Sequence, residues 1–353
     1  MPKRIRKTLK HLARSVRRSL VYCLTIAFRT GILVFPLHWA RRIGEILGAA
    51  AFEIARGERR KTLENLRLAY GQGMPPAERL RAARAVFRNA GMSAVELAFL
   101  YAGRGGNILS RAKVEGMEHI LGVLRSGCGV LLVTAHYGNW ELVPPLLVAH
   151  VPCEGGVVAR DLSNPGLNRT VLGLRRRFGV RVFRRGETGR DYVRFLRAGN
   201  ALGILGDMDT SRGRGLFVDF FGRPAWTQRG IAQLALSGRA GIVPAFIARD
   251  PRDPGLHVLR IRPAISEGPA APEGRVDAEE RSGVAEESAL PREARVAAMT
   301  QSFTRAIEEA IRERPDQWAW MHRRWRHQPD RPPRIRSHLR ARGPNPATGT
   351  RNE

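Results

Sequence analysis

From residue 128 onward, short apolar runs rich in β-branched residues alternate with stretches of helical length, and this alternation restricts the fold more than any other feature. Runs at 130–135, 156–159, 180–184, 201–206, 242–248 and 257–262 are too short for helices and read as buried strands. Between them, 139–149, 166–178, 190–198 and 230–237 read as helices, the first with an internal Pro144-Pro145 pair. Strands separated by crossover helices pair in parallel. The expectation is an α/β domain with a mostly parallel central sheet flanked by helices on both faces. Residues 207–228 break the alternation and are expected to form a long loop.

The chain before residue 128 is predominantly helical in pattern. Residues 60–101 present a wide apolar surface interrupted by a Gly/Pro break at 71–76, and 43–55 form another apolar stretch. Residues 3–18 are crowded with Lys and Arg and precede a largely apolar segment at 20–39. That segment has about the twenty residues a bilayer-crossing helix needs. No small-residue cleavage site follows it, so it does not read as a secretory signal. It reads as a hydrophobic membrane-anchor helix, tilted or interfacial because Arg29 lies near its middle and Pro36 near its end. The basic flank keeps the extreme N-terminus cytoplasmic, and a shallow or re-entrant anchor then suits cytoplasmic chemistry.

The expected organisation is a basic N-terminus and anchor over 1–40, then an α/β domain over 41–327. That domain carries a flexible insertion at 266–292, poor in large apolar residues, and is followed by a basic, disordered tail over 328–353. Val296, Met299, Phe303, Ile307 and Ile311 mark one face of a closing helix.

Formal net charge is +28, which favours polyanionic partners: nucleic acid, anionic lipid headgroups or an acidic protein. Only five of the 60 basic residues are lysine, a bias that a GC-rich genome produces, so charge alone does not choose among these partners. A basic nucleic-acid-binding protein is the alternative from outside enzymology; the alternation of Trp318, Trp320 and Trp325 with Arg323 and Arg324 suits single-stranded nucleic acid, but no known binding module surrounds it. The three cysteines have no C-x-x-C spacing, which argues against a disulfide framework or a zinc site.

Chemistry concentrates at strand ends. His136 directly follows the run at 130–135, where open α/β sheets collect reactive groups, and is placed to take a proton from a substrate hydroxyl. Glu141, five residues on, is expected to reach back to the imidazole, fix its tautomer and stabilise the imidazolium. Arg160, just after a strand, is a candidate phosphate binder. Asp207 and Asp209 follow another strand end and are expected to line the same cleft, capping a loop or binding substrate rather than a metal. Phe220-Phe221-Gly222 suits an apolar or membrane-facing wall, or ordinary core. Trp318, Trp320 and Trp325, interleaved with Arg323 and Arg324, suit a membrane interface. There is no G-x-S-x-G elbow and no Cys beside a His, so a covalent serine or cysteine nucleophile is not expected.

His136-Tyr137-Gly138-Asn139-Trp140-Glu141 matches an H-x4-D/E motif, and other blocks follow in order. They are residues 59–68, Asn164-Pro165 with the arginines at 175–177, Asp207-Met208-Asp209, residues 218–222, and 314–325. In this ordered set the chain, from about residue 20 to 327, resembles the lipid A biosynthesis (lauroyl/myristoyl) acyltransferases of the lysophospholipid acyltransferase-like superfamily. Met208, where a polar residue is common, and the long insertion depart from the pattern.

The resemblance implies direct acyl transfer from a thioester to a lipid A precursor hydroxyl at the cytoplasmic face of the bacterial inner membrane. It implies no cofactor and no metal. The donor would be an acidic acyl carrier protein or a CoA thioester, and no nucleic acid partner is expected. It implies catalysis by His136 with Glu141, and substrate binding by Arg175, Arg160, Asn164, Asp207 and Asp209. A related acyltransferase acting on phosphatidylinositol mannosides with acyl-CoA shares the motif and is the alternative acceptor class.

Overall fold

The computed structural model describes residues 22–23, 25–159, 164–184, 189–210, 215–265 and 290–330. Arg160, most of the insertion expected at 266–292, most of the basic N-terminus and most of the tail lie outside these residues.

Nine strands are described: β1 (Lys113–Glu115), β2 (Gly129–Thr134), β3 (Gly155–Ala159), β4 (Arg181–Arg184), β5 (Ala201–Leu205), β6 (Gly215–Asp219), β7 (Pro224–Gln228), β8 (Ala240–Arg249) and β9 (His257–Ile261). Seven form one sheet in the order β1-β9-β8-β2-β5-β3-β4. β8, β2, β5, β3 and β4 run parallel, while β9 is antiparallel to β8 and carries β1 parallel to itself. The mostly parallel sheet expected from the alternation is present. β2 lies at its centre and is buried at every residue. Leu131 and Val133 face one core and Val130 and Leu132 the other, so both faces of the sheet are covered.

Besides a helical stretch at 25–32, ten helices are described. They are α1 (Leu37–Ile54), α2 (Arg56–Tyr70), α3 (Pro76–Tyr101), α4 (Gly106–Arg111), α5 (Met117–Arg125), α6 (Val143–Val148), α7 (Pro165–Arg177), α8 (Gly189–Arg197), α9 (Gly230–Gly238) and α10 (Arg292–Glu313). The helix expected over 139–149 is divided into a 3-10 turn, Trp140–Leu142, and α6. Pro144 sits in the first turn of α6, where its missing amide hydrogen leaves no helical bond unmade.

Residues 207–228 are not simply a loop. β6 and β7 form an antiparallel hairpin through a turn in which Gly222 has φ 68°. Its strands are five residues long and include Gly215, Asp219 and Pro224, residue types that strands disfavour, which is why the sequence pattern hides them.

The anchor expected over 20–39 is not one continuous helix. Residues 25–32 are helical, the chain turns at 33–35, and α1 begins after Pro36, whose ring cannot sit inside a helix. No helix among the described residues is long and apolar enough to cross a membrane. α1 instead lies against α3. Gly44 and Gly48 of α1 oppose Gly91 of α3 so closely that a Cβ on Gly91 would stand 2.0 Å from the Gly44 carbonyl oxygen. The opposite side of α1 leaves Trp39, Ile46, Leu47 and Ile54 exposed, with Val34 and Phe35 beside them.

This crossing makes a prediction of sign. In an open helix interior, Gly→Ala stabilises by about 0.5–1 kcal/mol. Gly91→Ala must force two helix backbones apart, and overpacking of this kind costs about 1–3 kcal/mol. A lowered denaturation midpoint is expected, and a raised one would contradict the crossing.

Candidate active site

β2 and β5 are parallel neighbours in a register that pairs Thr134 with Leu205. Two residues beyond each strand end stand His136 and Asp207, and the amide of the intervening Gly206 still donates to Thr134 O at 2.8 Å. The two side chains therefore emerge side by side. His136 Nδ1 lies 2.9 Å from Asp207 Oδ1, and the His136 backbone N–H donates to Asp207 Oδ2 at 2.9 Å. Trp318 Nε1 donates to Oδ2 as well, at 2.8 Å. Asp207 is thus buried with three donors on two oxygens.

The loop after β2 is held just as tightly. Gly138 has φ 58°, a region that favours glycine, and a Cβ there would fall 1.9 Å from the Ile247 carbonyl oxygen. Its amide donates to Gln317 O at 2.8 Å, and Ala319 N donates to His136 O at 2.9 Å. The segment 314–325 therefore lies across the strand ends. It was expected at a membrane interface, but Trp318, Trp320, Trp325 and Arg324 are buried. Trp318 and Trp325 pack against Phe220, and Trp320 and Trp325 against Phe221, so the Phe220-Phe221 pair belongs to the core rather than to a wall of the cleft. Arg324 donates to Trp226 O and Thr227 Oγ1.

Burial disfavours the charged imidazolium of His136, but the Asp207 charge and hydrogen bond outweigh it and raise the pKa above 6.5. Burial likewise opposes ionisation of Asp207, and the facing His136 overcomes it, holding the carboxyl far below the carboxylate range. An ionised Asp207 only accepts, so neutral His136 carries its proton on Nδ1 and leaves the Nε2 lone pair free for a substrate proton. His322 lies near, with ring centroids 6.4 Å apart. Burial, with the positive charges of His136 and Arg324, pulls it down to about 4 against the pull of Asp207, so it stays neutral.

Glu141 does not hold the imidazole. It sits in the 3-10 turn with Oε1 2.8 Å from Arg175 Nη2, and Nδ1 of His136 is already taken by Asp207. Arg175 comes from the last turn of α7, while the neighbouring Arg176 and Arg177 are exposed. Its Nε–H is buried and unpaired among the described residues. Asn164 starts α7, its Oδ1 accepting from Gly166 N at 2.9 Å. Asp209 turns away from His136 and binds His327 Nδ1 at 2.8 Å and Arg326 at 3.2 Å. Among the described residues no cluster of three or more His, Cys, Asp or Glu is arranged to hold a metal.

A network that sequence reasoning missed supports this loop. Glu96, fully buried in α3, accepts from Asn139 Nδ2 at 2.9 Å, from Arg41 at 2.8 Å, from Arg249 at 2.7 and 2.8 Å, and pairs with His257 Nε2 at 3.0 Å. Burial raises its pKa, and the charges of Arg249 and His257 reverse this, driving it well below the carboxylate range. The one available signal was a lone acid within the apolar run of residues 94–100. Asn139 lies inside the His136–Glu141 motif, so this network fixes the motif's middle.

A cavity opens beside His136. Thr134, Trp140, Glu141, Arg175 and Leu205 line it towards the strand ends, and apolar residues of β2, β5, β3 and α6 complete the lining. Its empty space, open mouth included, is about 750 Å³. Thr134, Leu132 and Val130 line it from one face of β2, because strand side chains alternate.

These charges predict two histidine titrations by NMR. The His136 ring should titrate above 6.5 and His322 near 4, and Asp207→Asn should lower the His136 value. An unchanged His136 titration in Asp207→Asn would contradict the pairing.

The profile of bacterial lipid A biosynthesis acyltransferases matches residues 7–327. The lipid A biosynthesis myristoyltransferase of Escherichia coli (strain K12) is 26% identical over 245 residues, covering 69% of this chain and 75% of that protein. The lauroyltransferase of the same strain is 25% identical over 300 residues, 85% of this chain and 89% of its own. A phosphatidylinositol mannoside acyltransferase of Mycobacterium tuberculosis (strain ATCC 25618 / H37Rv) is 27% identical over 149 residues, 41% of this chain and 46% of that protein. The profile spans the sheet, the His136–Asp207 pair and the tryptophan-rich block, so the chain belongs to the bacterial lipid A biosynthesis acyltransferase family and is an O-acyltransferase.

Proposed function

We propose that the protein transfers a fatty acyl chain from an acyl carrier protein thioester to a hydroxyl of a lipid A precursor, with His136 as general base and Asp207 as its orienting carboxylate. The observation that carries this reading is the His136–Asp207 hydrogen bond of 2.9 Å, two residues beyond the ends of strands whose side chains line an apolar cavity. His136 Nε2 takes the proton of the acceptor hydroxyl as its oxygen attacks the thioester carbonyl. The tetrahedral intermediate collapses with cleavage of the C–S bond, and the imidazolium returns the proton to the departing thiolate. Each methylene of the acyl chain buried in the cavity contributes about 0.8 kcal/mol of binding. Arg175, oriented by Glu141, offers its unpaired N–H to the donor or to an acceptor phosphate.

The same proposal places the enzyme at the cytoplasmic face of the inner membrane. The exposed Trp39, Ile46, Leu47 and Ile54 of α1 suit shallow insertion among headgroups, and the charge of +28 suits both anionic lipid and an acidic carrier. The similarity to a phosphatidylinositol mannoside acyltransferase keeps a mannoside acceptor with acyl-CoA as the second reading.

Lipid mass spectrometry of cells expressing wild type or His136→Ala tests the proposal. One added acyl mass on a lipid A precursor is expected with wild type, with a loss of about 10²–10⁴-fold in the variant. Acylated mannosides instead would favour the second reading. Equal acylation by both proteins would refute the role of His136.

A further inference from the structure

The cavity has an internal scale. The registers of β2 with β5 and of β5 with β3 align its lining in tiers below His136. Thr134 and Leu205 form the first tier, Leu132, Gly203 and Val157 the second, and Val130, Ala201 and Gly155 the third. Ile120 and Val151 also line the cavity. In a strand each residue advances about 3.3 Å, so from His136 the second tier lies roughly 13 Å down and the third roughly 20 Å. With C–C bonds near 1.5 Å and bond angles near 111°, an extended alkyl chain advances about 1.25 Å per carbon. The second tier then corresponds to about ten carbons and the third to about sixteen.

Gly203 is the gap in the second tier. Its neighbours Leu132 and Val157 carry bulky side chains, while Gly203 has none. A Cβ built there meets only Val157 Cγ1 at 3.5 Å and Gly156 O at 3.6 Å, ordinary contacts, and φ is not in the left-handed region. Neither backbone conformation nor close packing therefore demands glycine at this position. By contrast, a Cβ on Gly155 would press Val148 Cγ2 at 2.5 Å, so that glycine has a packing reason. What the missing side chain does at 203 is leave the passage from the mouth to the third tier open.

We propose that Gly203 sets the acyl-chain length this enzyme accepts, by keeping the cavity open past the tenth carbon to a floor at Val130 and Ala201. This rests on the acyl transfer proposed above. Chains of about 12–16 carbons fill the space to the third tier, and each methylene denied burial weakens binding roughly fourfold. A leucine at 203 closes the passage at the second tier and turns the preference toward chains of about ten carbons or fewer.

The test is a competition in which purified full-length wild type, Gly203→Leu and Gly203→Ala each receive a mixture of saturated acyl carrier protein thioesters, from about 8 to about 16 carbons. Product acyl masses are then read by mass spectrometry. Wild type should favour 12–16 carbons, Gly203→Leu about ten or fewer with transfer of short chains retained, and Gly203→Ala should shift partway. An unchanged length order in either active variant overturns the proposal, as does equal loss at every length in folded protein. If Gly203→Leu does not fold, Gly203→Ala decides by the same criteria. Failure of wild type to transfer any chain would instead sink the acyl-transfer reading itself, and the length rule with it.

Discussion

Two parallel strands that end level with one another set the chemistry of this molecule. Because Thr134 and Leu205 are register partners, the residues two positions beyond them must meet, and they are a histidine and an aspartate. The pair is costly to bury, since each charge loses its water. Three donors on the Asp207 carboxylate offset that loss, and Trp318 supplies one of them from more than a hundred residues downstream. The tryptophan-rich block is thus the roof over the carboxylate. Its indoles pack against Phe220 and Phe221 while one indole N–H completes the site.

A second buried charge holds the same loop from below. Glu96 gathers Arg41 of α1, Arg249 of β8, His257 of β9 and Asn139 of the motif around one carboxylate. Removing one partner from such a group typically costs about 3–5 kcal/mol, because the remaining charges stay buried without compensation. The arrangement also joins α1, whose outer side is exposed and apolar, to the residue three positions beyond His136. The helix with the exposed apolar side and the loop that holds His136 therefore share one ion network.

Much of this fold is legible in the sequence because parallel strands buried on both faces must be short, apolar and separated by helices. The ends of those strands also pointed to His136 and Asp207 as cleft residues. What the sequence could not supply was register. Spacing along the chain suggested that Glu141 would reach His136, whereas the partner came from the next strand, 71 positions away, and Glu141 pairs with Arg175 on α7. Composition misled for the tryptophans, since alternating Arg and Trp suits an interface and a cation–π core equally. Here Arg324 lies over Phe220 at 4.9 Å within the core. The apolar 20–39 segment had the length of a span, but Pro36 turned it into two elements.

On the proposed mechanism, Asp207 rather than Glu141 orients His136 as the base. The most direct measurement is the pH dependence of kcat/KM for wild type, Asp207→Asn and Glu141→Gln. Only neutral His136 accepts a proton, so the wild-type rate should rise with pH and level off above a midpoint higher than 6.5. Asp207→Asn removes the charge that favours the imidazolium, so its midpoint should fall and its plateau drop by about 10²–10⁴-fold. Glu141→Gln removes a more weakly acting charge with no hydrogen bond to the ring, so its midpoint should fall less than that of Asp207→Asn. A displaced midpoint in Glu141→Gln together with an unmoved one in Asp207→Asn would contradict the account.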